Sequence, residues 1–144
     1  MSADPRVLVV ELRLPPKACS PNRRGHWAAH SGGYAKYRSD CALLIRKARN
    51  LAGLPTFGRA VVSYEFFLAR RPHPPIPDGL YRPRDNDNAI ACMKAFQDAL
   101  VDAGLLAGDT GRRVSVGNVV LRSKKKDHGG RCCVVATITE VVTP

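Results

Sequence analysis

The chain has 144 residues, enough for a single domain to bury a core without disulfides or a structural metal. Its 23 Lys and Arg against 12 Asp and Glu give a formal net charge of +11, which points to a polyanionic partner, nucleic acid first. No apolar run approaches the roughly 20 residues that span a bilayer, and no basic helix shows a clean apolar face with aromatic anchors, so a membrane partner is not expected.

The N-terminal MSADPRVLVVELRLPP has no basic segment ahead of its apolar run and no small-residue cleavage site, so Val7 to Leu14 reads as a strand rather than a signal peptide. Pro15 and Pro16 end it. Residues 17–33, KACSPNRRGHWAAHSGG, read as a loop carrying Arg23, Arg24, His26, Trp27 and His30. Tyr34 to Leu51 is a helix, with Tyr37, Cys41, Leu44 and Ala48 at helical spacing and Gly53 and Pro55 as stops. Arg59 to Ala69 is rich in β-branched and aromatic residues and reads as a strand. The proline-rich RRPHPPIPDGLYRPR is a stiff loop, because proline cannot donate to a ladder and disfavours helix before it. A second helix starts at Asn86 or Asp87 and runs to about Ala103, with Gly104 as its stop. RVSVGNVVLRS and RCCVVATITEVV read as two strands, joined as a hairpin by KKKDHGG. The order β-α-β-α-β-β predicts one α+β domain over residues 1–144: a mixed or antiparallel sheet with two helices on one face. The five cysteines show no CxxC spacing, and reduced thiols in a cytoplasmic protein are the expectation.

Against this basic background, residues 85–109 hold Asp85, Asp87, Asp98, Asp102 and Asp109. One aspartate of DNDN suffices for an N-cap, so capping leaves the second and the downstream acids unexplained. At about 100° per residue, an unbroken helix places Asp87, Lys94 and Asp98 within a wedge of about 40°. The plain alternative for Lys94 and Asp98 is an i, i+4 surface pair worth a few tenths of a kcal/mol. Bare carboxylates repel phosphate. A bound Mg²⁺, which takes oxygen ligands and keeps several waters, reverses the local sign and accepts a phosphate. Lys94 then offsets charge growing on that phosphate.

These residues resemble the RusA family of Holliday junction resolvases, which includes phage and prophage members. The resemblance rests on Asp85, Asp87 and Asn88; Lys94, Asp98 and Leu100; Ala103 and Gly104; and Asp109. LPPKACSPNRRGHW is similar to the family's first-strand exit. Two features depart from the pattern: a long interval from Asn88 to Lys94, and Gly108 where some members have a second acid. The resemblance implies a small α+β homodimer that hydrolyses branched DNA, above all four-way junctions, in recombination, repair or phage DNA processing. It implies Mg²⁺ as the ion, with Mn²⁺ as its alternative, and no small-molecule cofactor. By position, Asp85, Asp87 and Asp109 are the metal-binding acids, Lys94 is the catalytic lysine, and Asp98 is a secondary acid. A C₂ dimer would match the near two-fold symmetry of a four-way junction.

Arg82 and Arg84 flank the first acids and are candidates for DNA backbone contact, joined by Arg70, Arg71, Arg23 and Arg24. Lys124, Lys125 and Lys126 read equally well as phosphate contacts or as a charged turn that aids solubility. Trp27 is either a base-stacking platform or a cap on the core beneath its loop, the second being the plainer reading. His26, His30 and Cys19 lack a fourth ligand, so zinc is not expected. A competing reading keeps the basic charge and drops the chemistry: a module that binds branched or single-stranded DNA without cutting it.

Overall fold

The alternating residues of four segments form one sheet in the computed structural model of the chain, which describes residues 4–21, 27–68, 80–108, 113–122 and 132–142. Of residues 27–30 only the backbone is described. The elements are β1 (Val7–Leu12), a 3₁₀ turn (Lys17–Cys19), α1 (Trp27–Ala52), β2 (Ala60–Phe67), α2 (Asn86–Cys92), α3 (Lys94–Asp102), β3 (Val114–Arg122) and β4 (Cys133–Glu140). The fold is α+β, and the sheet is mixed, in the order β1-β4-β2-β3. Among the described residues, no helix is long and apolar enough to cross a membrane.

The register explains which residues enter the core. Leu8, Val10 and Leu12 pair with Ile138, Ala136 and Val134, which pair in turn with Val62, Tyr64 and Phe66. All nine are buried, while the alternate residues Val7 and Val9 of β1 are exposed. The sheet thus has a covered face and an open one, as the period of two requires. On β3 a bulge keeps this parity. Val116 pairs with Val62 and Val119 with Tyr64, so Gly117 and Asn118 together stand opposite Ser63. The Asn118 amide donates to Ser63 Oγ at 3.2 Å. Val116 and Val119 both reach the core as a result.

The last two strands do not form the expected hairpin. β2 lies between β3 and β4, and β3 runs parallel to β2. A parallel pair needs a crossover, and α2 and α3 supply it, with α2 lying against β3. The lysine-rich connection predicted as the hairpin loop falls outside the described residues.

α1 begins at Trp27, not after Gly33, so the predicted loop ends earlier than expected. Gly32 and Gly33 lie inside the helix. A Cβ at Gly33 would stand 2.8 Å from the Ala18 Cβ, whereas one at Gly32 would meet nothing within 4 Å. Gly33 is therefore a point of close contact between α1 and the 3₁₀ turn, not a stop. Ile45 is fully buried where Leu44 was expected, and Leu44 is exposed.

The second helix is also not continuous. Met93, at φ −97° and ψ 13°, separates α2 from α3, and its amide donates to Ile90 O in a tighter 3₁₀-type bond. Phe96 then ties α3 to the sheet, meeting Tyr64 edge-on at 5.9 Å between ring centroids, a contact worth about 0.5–1.5 kcal/mol beyond its burial. Both predicted glycine stops are present. Gly53 and Gly104 have φ of 66° and 76°. The bonds Leu54 N–H to Arg49 O and Leu105 N–H to Leu100 O close a Schellman turn after each helix.

The two helical glycines give a paired prediction. Gly32→Ala should stabilise the fold by about 0.5–1 kcal/mol, the ordinary helix gain. Gly33→Ala should lose that gain to the Ala18 contact and lower stability. Urea unfolding of both variants measures the difference. Equal gains would mean that the 3₁₀ turn does not press on α1.

Candidate functional site

The sequence binds its own N-cap ahead of α2. Asp85 is extended, at φ −144° and ψ 170°, and its Oδ1 accepts from the Asn88 amide at 2.8 Å. Asn88 Nδ2 donates to Oδ2 at 3.1 Å. The capping role weighed for this motif is thus observed at Asp85. Asp87 sits in the first turn of α2, where a negative charge is favoured by the helix dipole, and it is exposed. Among the described residues Asp87 forms no ion pair.

The segment leading into this cap is fixed to the N-terminal motif. Tyr81 N–H donates to Pro15 O at 2.7 Å, and Leu80 bridges Pro16 as an antiparallel pair. Burial raises the Tyr81 hydroxyl above its ordinary value, against an opposing hydrogen bond with Ser20. Arg82 donates to Leu68 O at the end of β2. Pro83 is buried and Arg84 exposed. The stretches around Pro15 and around Asp85, far apart in sequence, therefore meet.

A second polar centre lies between α1 and α3. Asp98 is 8% exposed. Its Oδ2 accepts a short hydrogen bond from the Tyr34 hydroxyl and lies 3.7 Å from Arg38 Nη1, while Lys94 Nζ stands 3.0 Å from Oδ1. Burial pushes the Asp98 carboxyl up, but Tyr34, Lys94 and Arg38 outweigh it and hold it below its ordinary value. Burial and the bond to Asp98 raise the Tyr34 hydroxyl. Next to this, Arg38 grips Asp102 with two bonds, Nε to Oδ2 at 2.6 Å and Nη2 to Oδ1 at 2.8 Å. This pairing lowers Asp102 and raises Arg38. Arg46 and Arg49 donate to Asp102 O and Ala103 O, carbonyls left open at the end of α3.

The predicted face joining Asp87, Lys94 and Asp98 is observed in part, as the Lys94–Asp98 pair at 3.0 Å. The break at Met93 divides it: Asp87 belongs to α2, Lys94 opens α3, and Asp98 turns into the α1 interface. Lys94 itself is exposed, as a phosphate contact requires. Asp109, Arg23, Arg24, Arg70, Arg71, Lys124, Lys125 and Lys126 lie outside the described residues, as does the side chain of Trp27. The sequence reading missed Tyr34 and Arg38. Their signal is an aromatic and a cation at i, i+4 on α1, facing Lys94, Asp98 and Asp102 at the same spacing on α3.

Among the described residues no group of three His, Cys, Asp or Glu is placed to hold a metal. Asp85 and Asp87 nonetheless have the chemistry for Mg²⁺, which is commonly held by one or two carboxylates, with water and substrate phosphate completing the shell. None of the five cysteines forms a disulfide. Burial pushes the Cys41 and Cys92 thiols up to about 12, so neither is poised as a nucleophile.

Asp98 and Asp102 stabilise the fold above their unfolded value of 3.8, and that contribution is lost as pH falls through their lower folded values. Asp102→Asn should therefore lose less stability than the wild type between about pH 5 and pH 2. Urea unfolding at a series of pH values tests this, and identical slopes would mean that the Arg38 pair adds nothing in solution. Asp85→Ala should cost about 1 kcal/mol at neutral pH, with Asp85→Asn nearly neutral as an alternative cap.

No family model matches the chain, and no curated protein matches it.

Proposed function

We propose that this chain is a Mg²⁺-dependent endonuclease of branched DNA, with a reaction like that of the RusA resolvases its D-x-D-N and K-x-x-x-D stretches resemble. The observation that carries the reading is Asp87. In a chain of net charge +11, it is an exposed carboxylate without an ion pair among the described residues, beside Asp85 on a segment fixed to the Pro15 strand exit. A surface built only to bind phosphate gains nothing from placing such a charge there.

Asp85 and Asp87, joined by Asp109, would hold the ion. When bound, Mg²⁺ supplies charge neutralisation, a site for a phosphate oxygen and a lower pKa for water. Lys94 offsets negative charge growing on the phosphate. Arg84, exposed beside Asp85, contacts the DNA backbone. A homodimer acting in the cytoplasm, its two sites on opposing strands of a junction, completes the proposal.

The non-catalytic reading has one observation in its favour. Asp85 caps α2, Asp98 is held by its neighbours and Asp102 is gripped by Arg38, so three of the five acids already have structural work. Asp87→Asn separates the readings. On a labelled four-way junction with Mg²⁺, the wild type should make paired symmetric nicks, absent with EDTA and absent from a matched linear duplex. Asp87→Asn should abolish them while binding the junction as well or better, since one repulsive charge is gone. An Asp87→Asn variant that cuts normally would overturn the catalytic assignment. Tight binding without cutting by the wild type under any divalent ion would favour the binding module.

A further inference from the structure

Lys94 opens α3 immediately after the break at Met93. Its side chain is 55% exposed, and a flexible lysine stem has much rotamer freedom to lose. An ordinary exposed i, i+4 pair would not fix it, because both partners move. Here the carboxylate end is held. The side chain of Asp98 is 11% exposed, and its Oδ2 is occupied from another helix by Tyr34, with Arg38 at 3.7 Å. Its Oδ1 is turned to Lys94 Nζ at 3.0 Å. Buried ion pairs are weak evidence for stability, since an apolar residue often does as well there. A carboxylate whose two oxygens are divided between a neighbouring helix and an exposed ammonium is better accounted for by what it positions.

Resting on the function proposed above, we infer that Asp98 and Tyr34 are positioning residues that hold the Lys94 ammonium toward the scissile phosphate. Tyr34 fixes the rotation of the Asp98 carboxylate and Asp98 fixes the ammonium. Neither touches substrate. The α1–α3 interface thereby sets the reach of a group at the surface. Phosphoryl chemistry is sensitive to such placement, and a misplacement near 1 Å can cost about 100-fold in rate.

The test compares wild type, Lys94→Ala, Tyr34→Phe and Asp98→Asn in single-turnover cleavage of a labelled four-way junction with Mg²⁺. Junction affinity with Ca²⁺ in place of Mg²⁺, the melting temperature and the ¹⁵N signal of the Lys94 ammonium are followed alongside. Tyr34→Phe, which removes one hydroxyl, should cut about 10-fold more slowly. It should bind the junction within about twofold of wild type and shift the Lys94 ammonium signal. Asp98→Asn should be slower still, and if it does not fold, Tyr34→Phe decides alone. A Tyr34→Phe variant that cuts at the wild-type rate while Lys94→Ala does not cut would overturn the inference and leave the nuclease reading standing. Parallel losses of rate, affinity and melting temperature, with the ammonium signal unmoved, would reduce the network to a structural role and also overturn it. A Lys94→Ala variant that cuts normally would overturn the inference and the role of Lys94 while the nuclease reading stands, whereas a wild type that leaves the junction uncut would overturn the nuclease reading and this inference with it.

Discussion

A carboxylate taken out of water has to be met by donors, and Asp98 meets most of its donors on another helix. Desolvation of the charge opposes the fold until Tyr34, Lys94 and Arg38 surround it. The requirement fixes the rotation of α1 about its axis, because Tyr34 and Arg38 must face α3 together. The same rotation buries Tyr37, Cys41 and Ile45 and leaves Leu44 exposed. Arg46 and Arg49 extend the seam to the open carbonyls at the end of α3, with Thr56 Oγ1 donating to Gly104 O at 2.7 Å just beyond it. Apolar packing supplies the driving force beneath this seam. The polar contacts choose its register, since a slip of one turn would leave Asp98 buried without them.

What could be read from the sequence was whatever a short stretch decides for itself. The strands of apolar alternation, the glycines that close α1 and α3, and the DNDN cap are all local consequences of backbone and side-chain chemistry. The features that could not be read depend on distant partners. The break at Met93 is hidden because Ala89, Cys92, Met93, Phe96, Leu100 and Ala103 keep helical spacing through it, and all are buried. Gly32 and Gly33 read as breakers because nothing in the sequence shows that Ala18 packs against Gly33. The insertion of β2 between β3 and β4 is invisible for a similar reason. A hairpin and a longer return have the same local pattern, and the choice is made by the parallel pairing of β2 with β3. The bond from Tyr34 to Asp98 spans 64 residues. Each residue alone reads as a surface helix position.

The described acids of residues 85–108 thus separate into two kinds. Asp98 and Asp102 face inward or sideways to α1 and work between helices. Asp85 and Asp87 stay at the surface, where the chain turns into α2. In a basic chain the first kind accounts for itself, because Asp98 and Asp102 pair with Lys94 and Arg38. Of the second kind, Asp85 caps α2 but Asp87 is left over. Neither the cap geometry nor the ion pairs of the described residues employ Asp87.

Asp85 shows that a structural role and a chemical one need not compete. A carboxylate offers about four lone-pair sites. The cap uses one on each oxygen, at 2.8 and 3.1 Å, which leaves acceptor capacity on both oxygens for a cation. The cap also fixes the side-chain torsions of Asp85, and the bond from Tyr81 to Pro15 fixes the backbone that precedes it. A ligand held in place before its ion arrives loses less entropy on binding. Under the proposed function, Asp87→Asn therefore removes charge from a site whose geometry stays intact, whereas Asp85→Ala removes charge and order together. Any loss of activity in the first is the cleaner reading of the carboxylate's chemistry, because the fold's stake in Asp87 is only its place in the first turn of α2, worth about 0.3–1 kcal/mol.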